Sequence, residues 1–428
     1  MDTIFAISTA PGKAGVAVLR LSGPASHTVT ERYAGSLPKL RELRLRRLVL
    51  PDGTALDEAL VVVFAAGDSF TGEPVAEWHL HGSIAVQRMA LEALSSEPGC
   101  RMAEAGEFTR RALVNERLDL GAVEGLADLI DAETEAQRQR ALRALGGGLA
   151  AQAESWRSDL IRAAALAETA IDFADEEIPD DVLGEAKSLA VRARRGIASE
   201  LAGSGAAERV RLGFEVAIVG APNIGKSTLL NRLAGRDAAI TSDVAGTTRD
   251  VIEVRMEIAG LAVTLLDTAG LRSTDDPVES IGVERARDRA ERADLRIILV
   301  GSNAPPELAP MKEDLVLKAK ADNSGSLEEG VSGLTGAGVD ALVEEIGQIL
   351  SARSQNAGVF DRERHRVASR AALEALDDAI LHLESGFDSP EIVAEDLRRA
   401  ARGLEALVGR IGVENLLDEI FLSFCIGK

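Results

Sequence analysis

The sequence predicts a multidomain α/β protein, with an N-terminal α+β domain followed by a helical domain that carries an inserted P-loop domain. Three observations support this fold class. The 428 residues are too many for one ordinary hydrophobic core. A GxxxxGKS motif at 220–227 lies between a strand pattern and a helix pattern. Helical periodicity flanks that segment on both sides, so we divide the chain into 1–118, 119–210, 211–354 and 355–428, the second and fourth parts forming the helical domain.

Composition narrows the classes of function. The chain carries 69 acidic and 48 basic side chains, a formal net charge of −21, which argues against a protein that coats nucleic acid through a general positive field. Two cysteines exclude a disulfide framework and a cysteine-rich zinc module. No signal-peptide pattern begins the sequence, and the longest uncharged apolar stretch, 59–67, is too short to span a bilayer. We expect a cytoplasmic protein with no membrane segment.

The first segment mixes short strand patterns with turns. Apolar runs typical of strands occupy 3–8, 15–21 and 59–65. Pro-Gly and Pro-Asp-Gly turns separate them at 11–12 and 51–53. This alternation predicts a compact α+β domain.

Helical spacing dominates the segments before and after the P-loop segment. It spans 149–173, 182–201 and 362–425, and three glycines at 146–148 predict a break before the first of these helices. The stretch Gly203–Gly205 (GSG) predicts a linker. Because neither helical segment is long, we infer that the two pack together as one domain; two separate helical units are the alternative.

The strongest motif is Gly220–Ser227 (GAPNIGKS), preceded by the apolar run 214–219 and followed by a helix pattern over 227–233. Backbone N–H groups of such a loop and of the helix after it face a phosphate chain. Lys226 would reach the β- and γ-phosphates, and the Ser227 hydroxyl would bind Mg²⁺. A chance glycine turn is the alternative, which the flanking strand and helix patterns disfavour.

A second motif, Asp267–Gly270 (DTAG), ends the apolar run 263–266. A carboxylate at the end of that strand can hold the water shell of Mg²⁺, and the Gly270 N–H can approach a γ-phosphate. Between the two motifs lies 246–250 (GTTRD), where a threonine could bind the metal only while the γ-phosphate is present. A surface turn is the alternative for that stretch.

Lys320 and Asp322, a KxD pair, indicate which nucleotide base is bound. Guanine-specific P-loop proteins read the base with an NKxD motif; here Lys320 and Asp322 are in place, whereas Ala319 stands at the asparagine position. Residues 332–336 (SGLTG) resemble the base loop that follows such a motif. We predict binding of GTP over ATP, with a weaker affinity for guanine than an asparagine would give.

The group that orients the attacking water is less evident from these motifs. Ras-like GTPases place a glutamine directly after the DTAG-type motif, and Leu271 stands there. Asn223 and the acidic stretch 275–279 are the candidates. A turn-tolerant asparagine and a solvated acidic loop are the respective alternatives.

These motifs, with the two ends of the chain, resemble the MnmE (TrmE) family of tRNA modification GTPases over nearly the whole length. The resemblance rests on Phe70–Glu73 (FTGE) with Glu77 and His81-Gly82, on Gly106–Ala112 (GEFTRRA), and on Phe424–Lys428 (FCIGK). It implies a folate-binding type of N-terminal domain, a helical domain and an inserted Ras-like P-loop GTPase domain.

The resemblance also implies partners and chemistry. Family members form homodimers through their N-terminal domains, which bind a 5-formyltetrahydrofolate-type one-carbon carrier. With the FAD-dependent flavoprotein MnmG, in a heterotetramer, they add a group such as carboxymethylaminomethyl to C5 of the wobble uridine (U34) of certain tRNAs. K⁺ promotes G-domain dimerisation and hydrolysis. A regulatory GTPase that binds ribosomal RNA or an assembly factor, without modification chemistry, is the alternative; DTAG and the KxD pair disfavour an ATP-driven motor.

Site residues follow from the family's motifs, matched position by position. The folate positions are Arg20, Glu77, Arg117, which replaces an expected lysine, and Lys428. The Mg²⁺ positions are Ser227 and Thr248, and the K⁺ positions are Asn223, Ser242, Val244 and Thr247. The catalytic positions are Glu279, thought to orient the attacking water through a second water, with Lys226 and Asp267. The nucleotide positions are Asn223, Ile224, Gly225, Lys226, Ser227, Thr228, Ser242, Asp243, Val244, Ala245, Gly246, Thr247, Thr248, Asp267, Thr268, Ala269, Gly270, Lys320, Asp322, Ser332, Gly333 and Leu334.

Three further patterns have a structural and a functional interpretation. His79 and His81 are spaced as metal ligands on a strand, but packing or hydrogen bonds in the folate pocket explain them more simply. Cys425 has no histidine nearby in sequence to activate it, so we expect an incidental cysteine rather than a nucleophile. The basic run 39–47 is a solvated face or a tRNA contact.

Overall fold

A computed structural model describes residues 2–172, 182–236, 253–267, 288–301, 309–324, 330–385 and 390–409, together with 421, 424 and 427. These residues form two compact units. The first comprises Met1–Ala127, Leu145–Ala153 and Glu405–Lys428, and the second comprises Asp128–Ala144 and Glu154–Leu404. The four-part division predicted from the sequence stays a prediction.

The first unit contains a six-stranded sheet. Its strands are β1 (Thr3–Ile7), β2 (Val16–Ser22), β3 (Arg44–Val49), β4 (Ala55–Phe64), β5 (Val75–His81) and β6 (Cys100–Met102). They lie in the order β3-β4-β5-β2-β1-β6, antiparallel except for the parallel pair β1 and β6. The helices of this part are α1 (Ser26–Ala34), α2 (Ile84–Ser95) and α3 (Glu107–Val114).

The two faces of this sheet differ because side chains alternate along each strand. On one face Leu19 of β2 and Trp78 of β5 are fully buried and belong to the same hydrophobic core as Phe5. On the other face Arg20 lies directly opposite Glu77 in the β2–β5 register. The alternation of side chains along β2 and β5 therefore places a charged pair on the face away from the main core.

The second unit contains a mostly parallel sheet of Ras-like order. Its strands are β7 (Phe214–Gly220), β8 (Glu253–Ile258), β9 (Leu261–Asp267), β10 (Leu295–Val300), β11 (Leu315–Ala319) and β12 (Gly330–Val331). They lie in the order β12-β11-β10-β7-β9-β8, and only β8 is antiparallel to its neighbour. The helices of this part are α8 (Lys226–Ala234), α9 (Ala321–Ser324) and α10 (Val339–Ser354).

The strand order brings the two predicted phosphate motifs together. The run 220–227 follows the central strand β7, and Asp267 ends the neighbouring parallel strand β9 in register with Ile218. Because the carboxyl ends of parallel strands meet at one edge of a sheet, this edge is where α/β proteins bind ligands.

The remaining helices are α4 (Leu120–Asp131), α5 (Glu135–Leu145), α6 (Gly148–Asp172), α7 (Val182–Leu212), α11 (Glu363–Ser385) and α12 (Pro390–Leu407). The break predicted at 146–148 is confirmed by the end of α5 and the start of α6. The linker predicted at Gly203–Gly205 is wrong, because α7 continues through it. A Cβ on Gly203 would lie 2.3 Å from the Asn356 carbonyl oxygen, so close packing explains this glycine.

A buried charge cluster surrounds Asp361, in the segment between α10 and α11. Arg140 Nε donates to its carboxylate at 3.1 Å, Arg211 Nε lies 3.8 Å away and His365 Nδ1 lies 3.4 Å away. Burial alone would raise the pKa of Asp361, but the hydrogen bond with His365 and the charges of Arg140 and Arg362 hold it below its usual range. The cluster joins α5, α7 and α11 at one carboxylate.

The fold class predicted from the sequence, a multidomain α/β protein with an N-terminal α+β domain, helices and a Ras-like P-loop domain, is confirmed. Across the described ranges, no helix combines the length and the apolar composition needed to cross a membrane.

Candidate functional site

The P-loop has the backbone conformation that its glycine-rich sequence predicts. Asn223 has φ +61° and Gly225 has φ +119°, both in the left-handed region that favours glycine and asparagine. Gly225 is the N-cap of α8, so no side chain blocks the first N–H groups of that helix. Backbone N–H groups at such a helix start attract a phosphate.

Lys226 and Ser227 lie at the start of α8. The Lys226 side chain is buried, and its ammonium donates to the carbonyl oxygens of Gly220 and Ala221. The Ser227 hydroxyl donates to Asp267 Oδ2 at 2.7 Å, although forty positions separate the two residues in the sequence. The loop and the end of β9 therefore form one polar site.

The donor set at this edge of the sheet suits Mg²⁺. Ser227 and Asp267 offer a hydroxyl and a carboxylate oxygen in contact, and Asp267 is only 3% exposed. Hard divalent cations prefer such oxygen ligands. The residues present therefore fit the metal that the motifs predict.

The predicted base-reading residues line one cavity of about 280 Å³ beside the P-loop. Ala319 and Lys320 form one wall, and the loop that begins at Ser332 forms another. Lys320 adopts φ +57°. The cavity lining consists of Ile224, Gly225, Thr228, Leu229, Leu299, Ala319, Lys320, Asp322, Val331, Ser332, Gly333 and Leu334.

Several predicted site residues lie outside the described residues. They are Ser242, Asp243, Val244, Ala245, Gly246, Thr247, Thr248, Thr268, Ala269, Gly270, Glu279 and Lys428, together with Leu271, Cys425 and the stretch 275–278. Of the predicted K⁺ ligands, Asn223 is described, and it is exposed.

A second polar site lies on the sheet of the first unit, around the predicted folate residues. Arg20 Nε donates to Glu77 Oε1 at 2.9 Å. The Arg20 guanidinium lies 5.6 Å from the ring centroids of both Phe70 and Phe108, a cation–π distance. The Nε2 atom of His79 is buried and has no hydrogen-bond partner among the described residues. A buried polar atom of this kind fits a site for a polar ligand.

Arg117 lies near Gly72, in the loop that carries Phe70. The position of a Cβ on Gly72 is 3.2 Å from Arg117 Cγ, and the Arg117 side chain is exposed. Gly427 approaches β1: a Cβ at this position would lie 2.2 Å from the Ile7 carbonyl oxygen. Gly427 thus lies against the same sheet that carries Arg20 and Glu77.

Sequence reasoning missed a partly buried ion network on the elements that carry this site. Arg111 Nη1 donates to Glu73 Oε1 at 3.0 Å, and Ser22 Oγ donates to Glu73 Oε2 at 2.6 Å. Arg101 and Arg111 both bind Glu107. Burial alone would raise the pKa of Glu107, but the hydrogen bond from Arg101 lowers it. The acidic and basic residues inside the FTGE and GEFTRRA motifs were the available signal.

The network connects the two segments that carry Phe70 and Phe108, the aromatic neighbours of Arg20. Glu73 follows Phe70 in one loop, and Glu107 precedes Phe108 at the start of α3. Because Arg111 binds both glutamates, it connects the two segments that carry these rings.

Two family models match this chain. The family model described as the GTP-binding protein TrmE N-terminus matches residues 3–117. The family model described as the MnmE helical domain matches residues 120–425. The second match covers more than half of the chain.

Relatives that align over their full length are named as members of the same family. The tRNA modification GTPase MnmE of Cereibacter sphaeroides is 58% identical over 429 residues, and that of Roseobacter denitrificans is 56% identical over 428 residues; each alignment covers 100% of both chains. Among solved structures, Era in complex with MgGDPNP and nucleotides 1506–1542 of 16S ribosomal RNA is 29% identical, covering 32% of this chain and 56% of that chain with a TM-score of 0.26.

The P-loop, the Ser227–Asp267 contact and the strand order define a Ras-like P-loop GTPase. With two family models and full-length relatives in agreement, the chain belongs to the MnmE (TrmE) family of tRNA modification GTPases. GTP is its substrate and tRNA modification is its task.

Proposed function

We propose that this GTPase acts in the cytoplasm with an MnmG-like, FAD-dependent flavoprotein to add a carboxymethylaminomethyl-type group to C5 of U34 in certain tRNAs. One observation supports the proposal most directly. The same chain carries a P-loop site for GTP and, on a separate sheet, the Arg20–Glu77 pair with its two aromatic neighbours. A purely regulatory GTPase has no need of the second site.

We assign the residues of the first site by role. Lys226 binds the β- and γ-phosphates; Ser227 and Thr248 hold Mg²⁺, and the Asp267 carboxylate supports its water shell. Glu279 orients the attacking water through a second water. When bound, Mg²⁺ offsets the negative charge of the phosphates. Lys320, Asp322 and the loop from Ser332 recognise the guanine base.

K⁺ is the second cation that we propose for this site. Asn223 would supply a side-chain oxygen, and Ser242, Val244 and Thr247 would supply the rest of the shell. Asn223 lies within the P-loop and is exposed, which suits a ligand beside the phosphates. Hydrolysis should therefore run faster in KCl than in NaCl, alongside dimerisation of the GTPase domains. Identical rates in the two salts would contradict the assignment.

The second site is proposed to bind the one-carbon carrier, a 5-formyltetrahydrofolate-type molecule. Arg20 and Arg117 suit the carboxylates or ring oxygens of a folate, and Glu77 suits its ring N–H donors. His79 Nε2, which has no hydrogen-bond partner among the described residues and lies 3.6 Å from Glu77 Oε2, would provide one further polar contact. Lys428 completes the proposed set of folate-binding residues. We further propose that the chain forms a homodimer and that it assembles with the flavoprotein as a heterotetramer.

Mass spectrometry of tRNA nucleosides tests the whole proposal. Cells that lack this protein should lose the C5-modified wobble uridines, and the full-length chain supplied in trans should restore them. Unchanged wobble uridines in the deletion strain would overturn the proposed chemistry, while leaving the GTPase activity untouched.

A further inference from the structure

We propose that Arg232 is a positioning residue for base specificity: it holds the loop Ser332–Gly336 where guanine is read, in place of a tether that asparagine at 319 would give. The inference rests on the base-reading role proposed for Lys320 and Asp322. Arg232 belongs to α8, the helix that the P-loop begins, and it reaches the base loop from outside the cavity.

Hydrogen bonds within the loop determine its shape. The Ser332 N–H donates to the Ala337 carbonyl at 2.9 Å, and the Gly336 N–H donates to the Ser332 carbonyl at 2.9 Å. The Thr335 N–H donates to Ser332 Oγ at 3.2 Å. These bonds close a turn, but they are internal, so its place against the rest of the site depends on other contacts.

The loop rests on the backbone of α8. A Cβ on Gly333 would lie 2.5 Å from Leu229 N and 2.6 Å from the carbonyl carbon of Thr228. Glycine is therefore required for this approach, since real Cβ atoms do not come so near to backbone. A small displacement of the loop along α8 would move the base-reading groups relative to the P-loop.

Arg232 joins the loop to α8 at two successive carbonyls. Its Nη2 donates to the Leu334 carbonyl at 2.7 Å, and its Nε donates to the Gly333 carbonyl at 3.3 Å. The guanidinium also covers Gly336, where a Cβ would lie 3.4 Å from Nη2. A charged, planar donor with two acceptors fixes orientation as well as distance.

The need for this tether comes from residue 319. Ala319 lines the same cavity as Ser332 and Gly333, and it lies beside Val331 in the β11–β12 register. A methyl group neither donates nor accepts a hydrogen bond, whereas asparagine does both. At this position the chain therefore offers no side-chain hydrogen bond to the loop, and Arg232 supplies one from the opposite side.

The test uses the full chain and measures dissociation constants for GDP and for ADP, the latter a probe of phosphate binding without guanine. Arg232→Ala should raise the Kd for GDP about five- to tenfold, less than the full value of charged hydrogen bonds because these two are exposed, with the Kd for ADP unchanged. The KM for GTP should rise while kcat at saturating GTP is kept. Arg232→Lys should give an intermediate Kd, because a lysine keeps the charge but not the two-pronged geometry.

Two companion variants make the result specific. Ala319→Asn should tighten GDP binding and reduce the effect of Arg232→Ala, because the loop then has a second tether. Arg236→Ala is the matched control: Arg236 follows the same helix but pairs with Asp340 at 2.7 Å, so its loss should leave both Kd values unchanged.

Three results would overturn the inference. Unchanged Kd values for both GDP and ADP in Arg232→Ala would mean that the arginine does not position the loop for base reading. An equal loss for both nucleotides would assign it a general structural role. A wild-type chain that binds GDP and ADP equally would overturn the proposed base recognition itself, and the role of Arg232 with it.

Discussion

The Ser227 hydroxyl lowers the free-energy cost of burying the Asp267 carboxylate. Asp267 is 3% exposed, and a carboxylate in such surroundings is costly unless it accepts hydrogen bonds. The bond from Ser227 Oγ, 2.7 Å long, meets part of that need and holds two oxygen atoms side by side. The chain thus holds a hydroxyl and a carboxylate, oxygen groups of the kind that Mg²⁺ prefers, in contact with each other.

Replacing Ser227 should weaken Mg²⁺ binding and slow GTP hydrolysis. Ser227→Ala removes one proposed Mg²⁺ ligand, so we expect kcat/KM for GTP to fall about tenfold or more, with a higher Mg²⁺ concentration needed for half-maximal rate. A Mg²⁺ titration of hydrolysis measures both. Ser188→Ala is the control, since that hydroxyl donates within α7; an unchanged Mg²⁺ requirement in Ser227→Ala would contradict the assignment.

At the second site the charge of Glu77 should determine folate affinity. Glu77→Gln keeps the shape but removes the charge that pairs with Arg20, whose guanidinium lies near two aromatic rings. We expect the affinity for 5-formyltetrahydrofolate to fall about tenfold, measured by equilibrium dialysis. The exposed Glu92 on α2 provides the control Glu92→Gln. Equal affinities in wild type and Glu77→Gln would show that the carrier binds elsewhere.

At the scale of elements, α7 shows where local sequence signals mislead. Two glycines separated by a serine are typical of a linker, yet here they lie inside a 31-residue helix. Gly203 is needed because the Asn356 carbonyl approaches it, whereas nothing lies within 4 Å of the Cβ position at Gly205. Only the contact from a distant segment distinguishes the two glycines, and that contact is not visible in the sequence.

The two glycines therefore predict opposite effects of the same substitution. Gly203→Ala should lower the free energy of unfolding by about 1–3 kcal/mol, because the methyl group has no room. Gly205→Ala should raise it by up to about 1 kcal/mol through helix propensity. Thermal unfolding followed by circular dichroism measures both. Destabilisation by both variants, or by neither, would contradict the packing seen at Asn356.

At the scale of the whole molecule, local chemistry was predictable and long-range charge pairing was not. The P-loop and the strand that ends at Asp267 are contiguous patterns, so the sequence alone predicted them. The networks around Glu73 and Asp361 join residues far apart in the chain; Arg140 and Asp361, for example, are separated by 221 positions. Composition and spacing contain no information about which of many arginines meets which carboxylate.

The Asp361 cluster predicts an acid-sensitive contribution to stability. The pKa of Asp361 is lower in the folded chain than the ordinary value of 3.8. Its contribution is therefore complete above about pH 4 and is lost as the pH falls through the folded-state pKa. Asp361→Asn should cost about 3 kcal/mol at pH 7, because it leaves buried arginines without their partner.

Urea unfolding of wild type and Asp361→Asn between pH 7 and pH 3 tests this prediction. The difference between the two proteins should be constant from pH 7 to pH 5 and should shrink below pH 4. Asp340→Asn is the control, because that side chain is 88% exposed and should have little effect at any pH. A difference that persists unchanged at pH 3 would rule out the assigned charge state.

The continuity of α7 has a mechanical consequence. A helix of 31 residues is about 46 Å long, and a single residue, Gly213 with φ +93°, separates it from the strand that leads into the P-loop. An uninterrupted helix that is joined so near the P-loop converts a change of angle at one end into a larger displacement at the other. A tilt of about ten degrees at its Gly213 end would carry the far end through about 8 Å, a displacement larger than a side chain.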